Sequence, residues 1–279
     1  MNCSFDDIVA RLSAENISSP RLEARMMIAY ILDTDASTII PSQISLTQDQ
    51  TDKLQEMVEE RLEHKPLCKI LGTKSFYKYD FVVNEDVLSP RPDTEILVEA
   101  AVDLSKQFSF NKILDMGTGS GCILLSLLGE IPDAVGTGID ISPAALNIAR
   151  TNAKRLGYTD RCRFFNSSWF DDKFDYGSNF DLIVSNPPYI PTRDISGLDE
   201  EVKFYDPLTA LDGGADGLKD YRRIAEISSQ LLNDDGFLLL EFGINQSAEV
   251  RKIFLSAGFE LVDIKKDLSG KDRCIILKK

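Results

Sequence analysis

Two short stretches of this 279-residue chain carry the residue types that do chemistry, and the first is Asn186-Pro187-Pro188-Tyr189. The prolines fix the backbone and bring no N–H of their own, so the Pro187 carbonyl can point outward as an acceptor beside the Asn186 side-chain oxygen. Two neighbouring acceptors suit an NH2 group. The nitrogen of a planar amide or an exocyclic amine has a delocalised lone pair. A site that holds both hydrogens and aims the nitrogen at an electrophilic carbon supplies orientation rather than a strong base. Attack builds positive charge on nitrogen, the acceptors stabilise it, and the proton then leaves easily. Tyr189 is placed to stack on the planar group. Taken alone, the tetrad reads equally well as a proline turn with Tyr189 as a core or rim aromatic.

The second stretch is Asp115-Met116-Gly117-Thr118-Gly119-Ser120-Gly121, where an apolar run ends and a helical pattern begins. Glycines there let the backbone turn tightly and approach a ligand. The G-x-G-x-G spacing is neither the G-x-G-x-x-G of dinucleotide folds nor a P-loop. A carboxylate at Asp115 would repel phosphate and attract the sulfonium and α-ammonium groups of S-adenosylmethionine. Twenty-five residues on, Asp140 in Gly138-Ile139-Asp140-Ile141-Ser142 closes the next apolar run, where an acid can accept both ribose hydroxyls of an adenosine. The simpler role for Asp140 is capping the helix entered through Ser142-Pro143. Trp169 suits either an adenine pocket or the core, and His64, the one histidine, reads as a solvent-facing helix-end residue.

These residues need a framework. Apolar runs at 112–115, 134–140, 163–165, 181–185 and 236–242 alternate with helical patterns, which predicts a doubly wound α/β sheet. Runs at 259–264 and 273–277 have no helix between them, so an antiparallel strand is expected to end that sheet. Upstream, Phe5, Ile8, Val9 and Leu12 keep helical spacing, and Ser19-Pro20 opens a second helix. Thr47 with Gln50 forms a capping-box pattern before a third helix carrying Leu54, Met57, Val58 and Leu62. These predict a small helical bundle over residues 1–72. Residues 76–83 suggest a hairpin, and Pro90 and Pro92 forbid a regular element before Pro92 opens the helix of Ile96, Leu97, Ala100 and Leu104. The expected organisation is thus 1–72 helical, 73–92 hairpin and proline linker, and 93–279 the α/β domain.

The net charge of −14 disfavours a long nucleic acid as substrate, because such a partner needs many Lys/Arg contacts to phosphate. One histidine leaves little for zinc or for paired imidazoles, and no metal is expected. Five scattered cysteines, Cys3, Cys68, Cys122, Cys162 and Cys274, fit a reducing cytoplasm. The N-terminal residues show no basic region followed by an apolar stretch, and no later segment approaches about 18 uninterrupted apolar residues, so neither secretion nor membrane insertion is expected.

Taken with Lys65-Pro66, Ile70-Leu71-Gly72, Pro90-Arg91-Pro92-Asp93-Thr94-Glu95, Ala210-Leu211-Asp212-Gly213-Gly214, Asp216-Gly217-Leu218, Asp267-Leu268 and Gly270-Lys271-Asp272-Arg273, the chain resembles the protein-(glutamine-N5) methyltransferases of peptide-chain release factors, the PrmC/HemK group. The resemblance spans nearly the whole chain. It implies a class I, seven-stranded, Rossmann-like methyltransferase domain behind an N-terminal helical domain that helps dock the release factor. It also implies methyl transfer from S-adenosyl-L-methionine, leaving S-adenosyl-L-homocysteine. The acceptor is the side-chain amide of the glutamine in the Gly-Gly-Gln loop of class 1 release factors, and the enzyme is expected to act as a cytoplasmic monomer. Carried over residue by residue, Asp115, Gly117, Thr118, Gly119, Ser120, Gly121, Asp140, Ile141, Trp169 and Asn186 would hold the cofactor. Asn186, Pro187, Pro188 and Tyr189 would grip the glutamine, with Asn186, Pro187 and Tyr189 catalytic. Two positions depart from the family pattern, Ser168 and Asp93, where an acid and a Glu are common; both bear on cofactor affinity more than on reaction type.

Two other readings use the same residues. An amino-methyltransferase of adenine in DNA, or of a base in ribosomal RNA, would grip an exocyclic amine in the same way, with base flipping for a duplex. A catalytically silent scaffold would bind cofactor and transfer nothing.

Overall fold

The computed structural model describes residues 4–171 and 179–279, so Cys3 lies outside it. The chain divides into two compact units, one of residues 1–73 with Asp199–Tyr205, the other of residues 74–198 with 206–279. The boundaries thus differ from the sequence reading at two places. The hairpin and proline linker fall within the second unit, and a short segment from far downstream belongs to the first.

In the first unit, α1 (Phe5–Ala14), α2 (Pro20–Leu32), α3 (Gln48–Leu62) and α4 (Leu67–Leu71) enclose a core that includes Ile8, Leu12, Met27, Ile28, Leu54 and Val58. The Thr47 capping box forms both ways: Gln50 N–H donates to Thr47 Oγ1 at 3.3 Å and Thr47 N–H to Gln50 Oε1 at 3.0 Å. His64 follows α3 with φ +62° and lies 3.5 Å from Glu200. The downstream segment supplies α8 (Glu200–Tyr205). It is held by Arg61, only 1% exposed, whose guanidinium pairs with Glu23 and with Glu201, each at 2.6 Å. Tyr205 Oη also donates to the Glu63 carbonyl at 2.8 Å.

In the second unit, β1 (Thr73–Phe76) and β2 (Tyr79–Val82) form the expected hairpin. A seven-stranded sheet follows, built from β3 (Lys112–Met116), β4 (Val135–Asp140), β5 (Cys162–Asn166), β6 (Phe180–Ser185), β7 (Leu232–Glu241), β8 (Glu260–Lys266) and β9 (Asp272–Lys278). Its order is β5-β4-β3-β6-β7-β9-β8. The central strands β3 and β6 are nearly continuous apolar runs because both faces are covered, as in parallel sheets, whereas β5 and β8 at the two edges are largely exposed. Leu182 and Val184 face α5 (Glu95–Ser105) and α6 (Cys122–Glu130), whereas Ile183 and Leu114 face α9 (Lys219–Leu231) and α10 (Ser247–Ser256). The helix α7 (Pro143–Leu156) starts at Ser142, whose hydroxyl accepts from Ala145 N–H.

Two expectations need correction. The antiparallel strand β9 does not lie at the sheet's edge; it inserts between β7 and β8, and β8 is outermost. β7 also begins at Leu232 instead of 236: Phe180 pairs with Leu232 and Leu182 with Phe237, so residues 233–236 bulge out of register. Their Asn-Asp-Asp-Gly sequence has low strand propensity, which hides the strand's start.

Replacing Arg61 by Leu leaves the Glu23 carboxylate, 14% exposed, with no countercharge. The half-exposed Glu201 is screened by water and contributes less. The expected loss is about 2–3 kcal/mol of stability in the first unit, seen as an earlier urea transition by far-UV circular dichroism.

Candidate active site

The sheet order places the first crossover, β3 to β4, on one side of β3 and returns the chain at β6 on the other. The carboxyl ends of β3 and β6 therefore flank the point where strand order reverses, the place where open α/β sheets bind ligands. The glycine loop leaves β3, Asp140 ends β4 and Asn186 follows β6. A cavity of about 450 Å³ opens there, entirely within the second unit.

Gly117, Gly119 and Gly121 have φ of +76°, +53° and +80°, a region that side-chain-bearing residues rarely adopt. The N–H groups of Gly117 and Thr118 both donate to the Ile139 carbonyl at 2.9 Å, tying the loop to β4. Asp140 then braces it from the side, accepting from Gly119 N–H and from Ser142 N–H, each at 2.9 Å. Burial raises the pKa of Asp140, against the pull of those backbone donors. The helix cap belongs to Ser142, so Asp140 serves the loop and the cavity.

Of the residues singled out from sequence, Gly117, Gly119, Asp140, Ile141, Trp169, Asn186 and Pro188 line the cavity. Thr118, Ser120 and Gly121 are buried behind the loop. Asp115 is completely buried and does not line the cavity; its Oδ2 accepts from Thr118 Oγ1 at 2.7 Å, while Oδ1 has no partner. Burial pushes its carboxyl up to about 7, with the nearby charge of Asp140 adding to the rise. An orphaned acidic oxygen under a glycine loop fits a cationic ligand group, which would restore the ionised form.

Trp169 is both lining and core. Its ring packs so closely on Gly117 that a Cβ there would meet the indole at 3.2 Å. Its Nε1 donates to Asp220 Oδ1 at 2.9 Å. Asp220, Lys219 and Phe170 share that end of the cavity, with Lys219 Nζ 4.9 Å above the Phe170 ring. Ser168 lines it too.

At the other end, the Asn186 amide donates from Nδ2 to Thr94 Oγ1 at 3.2 Å. Pro187 is buried and does not line the cavity. Nor does Tyr189: its hydroxyl reaches Glu241 Oε1 at 3.4 Å, and burial raises its pKa. The tetrad is clamped from behind. Gln246 Nε2 donates to the Tyr189 carbonyl at 2.9 Å, and Ile190 bridges to the 211–213 segment. Gly217 comes so near that a Cβ would lie 2.4 Å from the Tyr189 oxygen.

Beneath it lies a buried charged group. Arg273 donates from Nη2 to Asp267 at 3.0 Å, pairs with Asp93 at 3.2 Å, and bonds the Phe242 carbonyl through Nη1 at 3.3 Å. Asp93 thus sits beside the tetrad's support and away from the cavity lining. Asp206 holds the proline linker, accepting from Arg91 Nη2 at 2.7 Å and Ser89 N–H at 3.3 Å.

The family model of the methyltransferase small domain matches residues 91–198, and that of the PrmC N-terminal domain matches residues 5–72. A release factor glutamine methyltransferase of Rhodospirillum rubrum is 40% identical over 96% of this chain and 82% of its own. One of Agrobacterium fabrum is 39% identical over 96% of this chain and 94% of its own. The chain belongs to the release factor glutamine methyltransferase family. Its fold is also that of a solved methyltransferase from Pyrococcus furiosus, with a TM-score of 0.52 at 16% identity over 84% of this chain and 99% of the other.

Sequence reasoning passed over Asp86, Val87, Leu88, Leu208, Thr209 and Asp220 as lining residues, and Thr94, Glu241, Gln246 and Arg273 as supports. Only the 90–95, 210–218 and 267–273 motifs gave a signal, and for Thr94 and Arg273 they came without a role. Among the described residues no group of three or more His, Cys, Asp or Glu is placed to hold a metal ion.

Because Asp140 both braces Gly119 and lines the cavity, Asp140→Ala is expected to weaken S-adenosylmethionine binding at least about tenfold, or 1.4 kcal/mol, by titration calorimetry. An unchanged affinity would refute this role.

Proposed function

We propose that this protein transfers the methyl group of S-adenosylmethionine to the side-chain amide nitrogen of the glutamine in the Gly-Gly-Gln loop of class 1 peptide-chain release factors. The observation that carries the reading is the orientation of Asn186: one N–H of its amide donates to Thr94, which leaves its oxygen to accept from a ligand NH2 at the cavity. The family relationship supports the substrate, and the net charge of −14 favours a protein partner over a polyanion.

The residues present fit the cofactor. Gly117 and Gly119 allow close backbone approach, Asp140 suits the ribose hydroxyls, Trp169 offers a flat face to adenine, and the orphaned Asp115 oxygen favours a cation nearby. The bound cofactor supplies an activated methyl on a positive sulfur. Everything else is orientation by the chain. Asn186 Oδ1 holds one amide hydrogen and directs the nitrogen, and as positive charge develops there this acceptor stabilises it. The extra proton needs no strong base to remove it. The Pro187 carbonyl, although that residue is buried and outside the cavity lining in this structure, is the second acceptor in this reading, and the N-terminal helical unit assists in docking the release factor. We further propose that the enzyme works as a cytoplasmic monomer; among the described residues no helix is long and apolar enough to cross a membrane.

The test is transfer of labelled methyl from S-adenosylmethionine to purified release factor, run beside a Gln→Ala version of its Gly-Gly-Gln loop, bulk DNA and bulk RNA. Label on the intact factor alone is expected. Label on nucleic acid would mean that the tetrad grips a base amine, and label on nothing would mean a scaffold.

Asn186→Ala removes the acceptor and is expected to raise the barrier by about 2–4 kcal/mol in kcat while cofactor affinity changes less. Turnover within about threefold of wild type, under 1 kcal/mol, would remove Asn186 from the mechanism.

A further inference from the structure

A buried amide inside a helix is costly unless its oxygen and both its hydrogens find partners, and Asn152 of α7, 1% exposed, finds all of them. Its Oδ1 accepts from Val82 N–H at 2.7 Å, and its Nδ2 donates to the Val82 carbonyl at 3.1 Å. The side chain thus pairs with the last residue of β2 as a residue of a neighbouring antiparallel strand would. The other Nδ2 hydrogen goes to the Ser120 carbonyl at 2.9 Å, inside the glycine loop.

Both anchored segments run directly into the cavity. Ser120 follows Gly117 and Gly119, which line it. Past Val82 the chain makes a short turn, in which Asn84 Oδ1 accepts from Asp86 N–H at 3.0 Å, and then Asp86, Val87 and Leu88 line the cavity as well. Asn152 lies on the face of α7 that also carries Ala149 and Ala145. Ala149 packs against the loop, 3.4 Å from where a Cβ on Gly121 would stand, and Ala145 reaches the cavity lining.

We propose that Asn152 is a positioning residue of the cofactor site, one that holds the glycine loop and the 82–88 segment in fixed register so that two walls of the cavity stand preformed. The proposal deepens the S-adenosylmethionine reading above and rests on it. A side chain needed only to fill the interior could be apolar, since leucine has nearly the same size, but it would make none of the three bonds. The rest of the hairpin is pinned without Asn152. Glu95 Oε1 accepts from Tyr77 N–H at 2.9 Å, Lys78 pairs with Glu130 at 2.7 Å, and Tyr79 lies over Gly129 of α6, leaving no room for a Cβ there. Losing the amide therefore leaves the hairpin docked and frees only its exit toward the cavity, together with the loop. Binding must then order both segments, so the cost falls on cofactor affinity, and once they are ordered transfer proceeds.

The experiment compares wild type with Asn152→Leu, which keeps the volume, and Asn152→Ala, which keeps the helix. Titration calorimetry reads S-adenosylmethionine affinity, and labelled-methyl transfer to release factor reads kcat and the KM of each substrate. Both variants are expected to bind S-adenosylmethionine about tenfold more weakly, with its KM rising in step and kcat at saturating cofactor within about threefold of wild type. Hydrogen exchange is expected to quicken in residues 82–88 and 117–121 together, to stay unchanged in β7 and β9, and to slow again when S-adenosylmethionine is added. A side chain that only fills the core would lower the melting temperature, more in Asn152→Ala than in Asn152→Leu, and leave both affinity and KM of the folded protein unchanged. Unchanged affinity in either variant, or exchange that quickens in one segment without the other, would overturn the proposal. Should Asn152→Leu fail to fold, Asn152→Ala decides it. Wild type that binds S-adenosylmethionine and methylates no release factor would count against the substrate reading, with calorimetry and exchange still deciding the role of Asn152; wild type that binds no S-adenosylmethionine would overturn both.

Discussion

An unsatisfied acidic oxygen in a protein interior is expensive, and among the described residues there are two, on Asp115 next to the end of strand β3 and on Glu241 at the end of β7. Everything around the cavity is arranged with respect to them. The glycine loop closes over the first through Thr118, and the tetrad reaches the second through Tyr189. A core built for stability alone would fill both places with apolar side chains. Acidic groups held there give the site a preset field, strongest where water is excluded, and they work without rearrangement at the moment a cationic group arrives.

The two acids divide the labour. Asp115 lies under the loop, with a free acceptor and no view of solvent, so it acts through the loop's shape and its field. Glu241 meets the tetrad directly, through the Tyr189 hydroxyl. Between them Asp140 couples loop to strand, joining Gly119 to Ser142 with its two oxygens. Removing any one of the three leaves the cavity's walls in place and alters what the walls ask for.

Much of this was legible in the chain. The capping pattern of Thr47 and Gln50 forms as written because it depends on residues three apart. The glycine loop, Asp140 and Asn186 come to the same sheet edge because strand alternation dictates it. The supports were illegible for the opposite reason. Gln246 reaches Tyr189 across 57 positions, Thr94 reaches Asn186 across 92, and Asp206 reaches Arg91 across 115. No local period encodes such pairs, and only the fold brings them together. The place of β9 is similar: two apolar runs joined by a turn predict pairing with each other, yet nothing in them says which one meets β7.

The helix α8 counts with the first unit although it is encoded a hundred and more residues after that unit's other helices, pinned there by Arg61 and Tyr205. The chain therefore passes from unit to unit three times. An excision at the first crossing does not yield two intact parts: a shortened chain starting at the hairpin would carry a stranded helix whose anchoring arginine is gone. Swapping the leading bundle between relatives faces the same constraint, because the transplanted piece must arrive with its distant fifth α-helix, encoded after the tetrad.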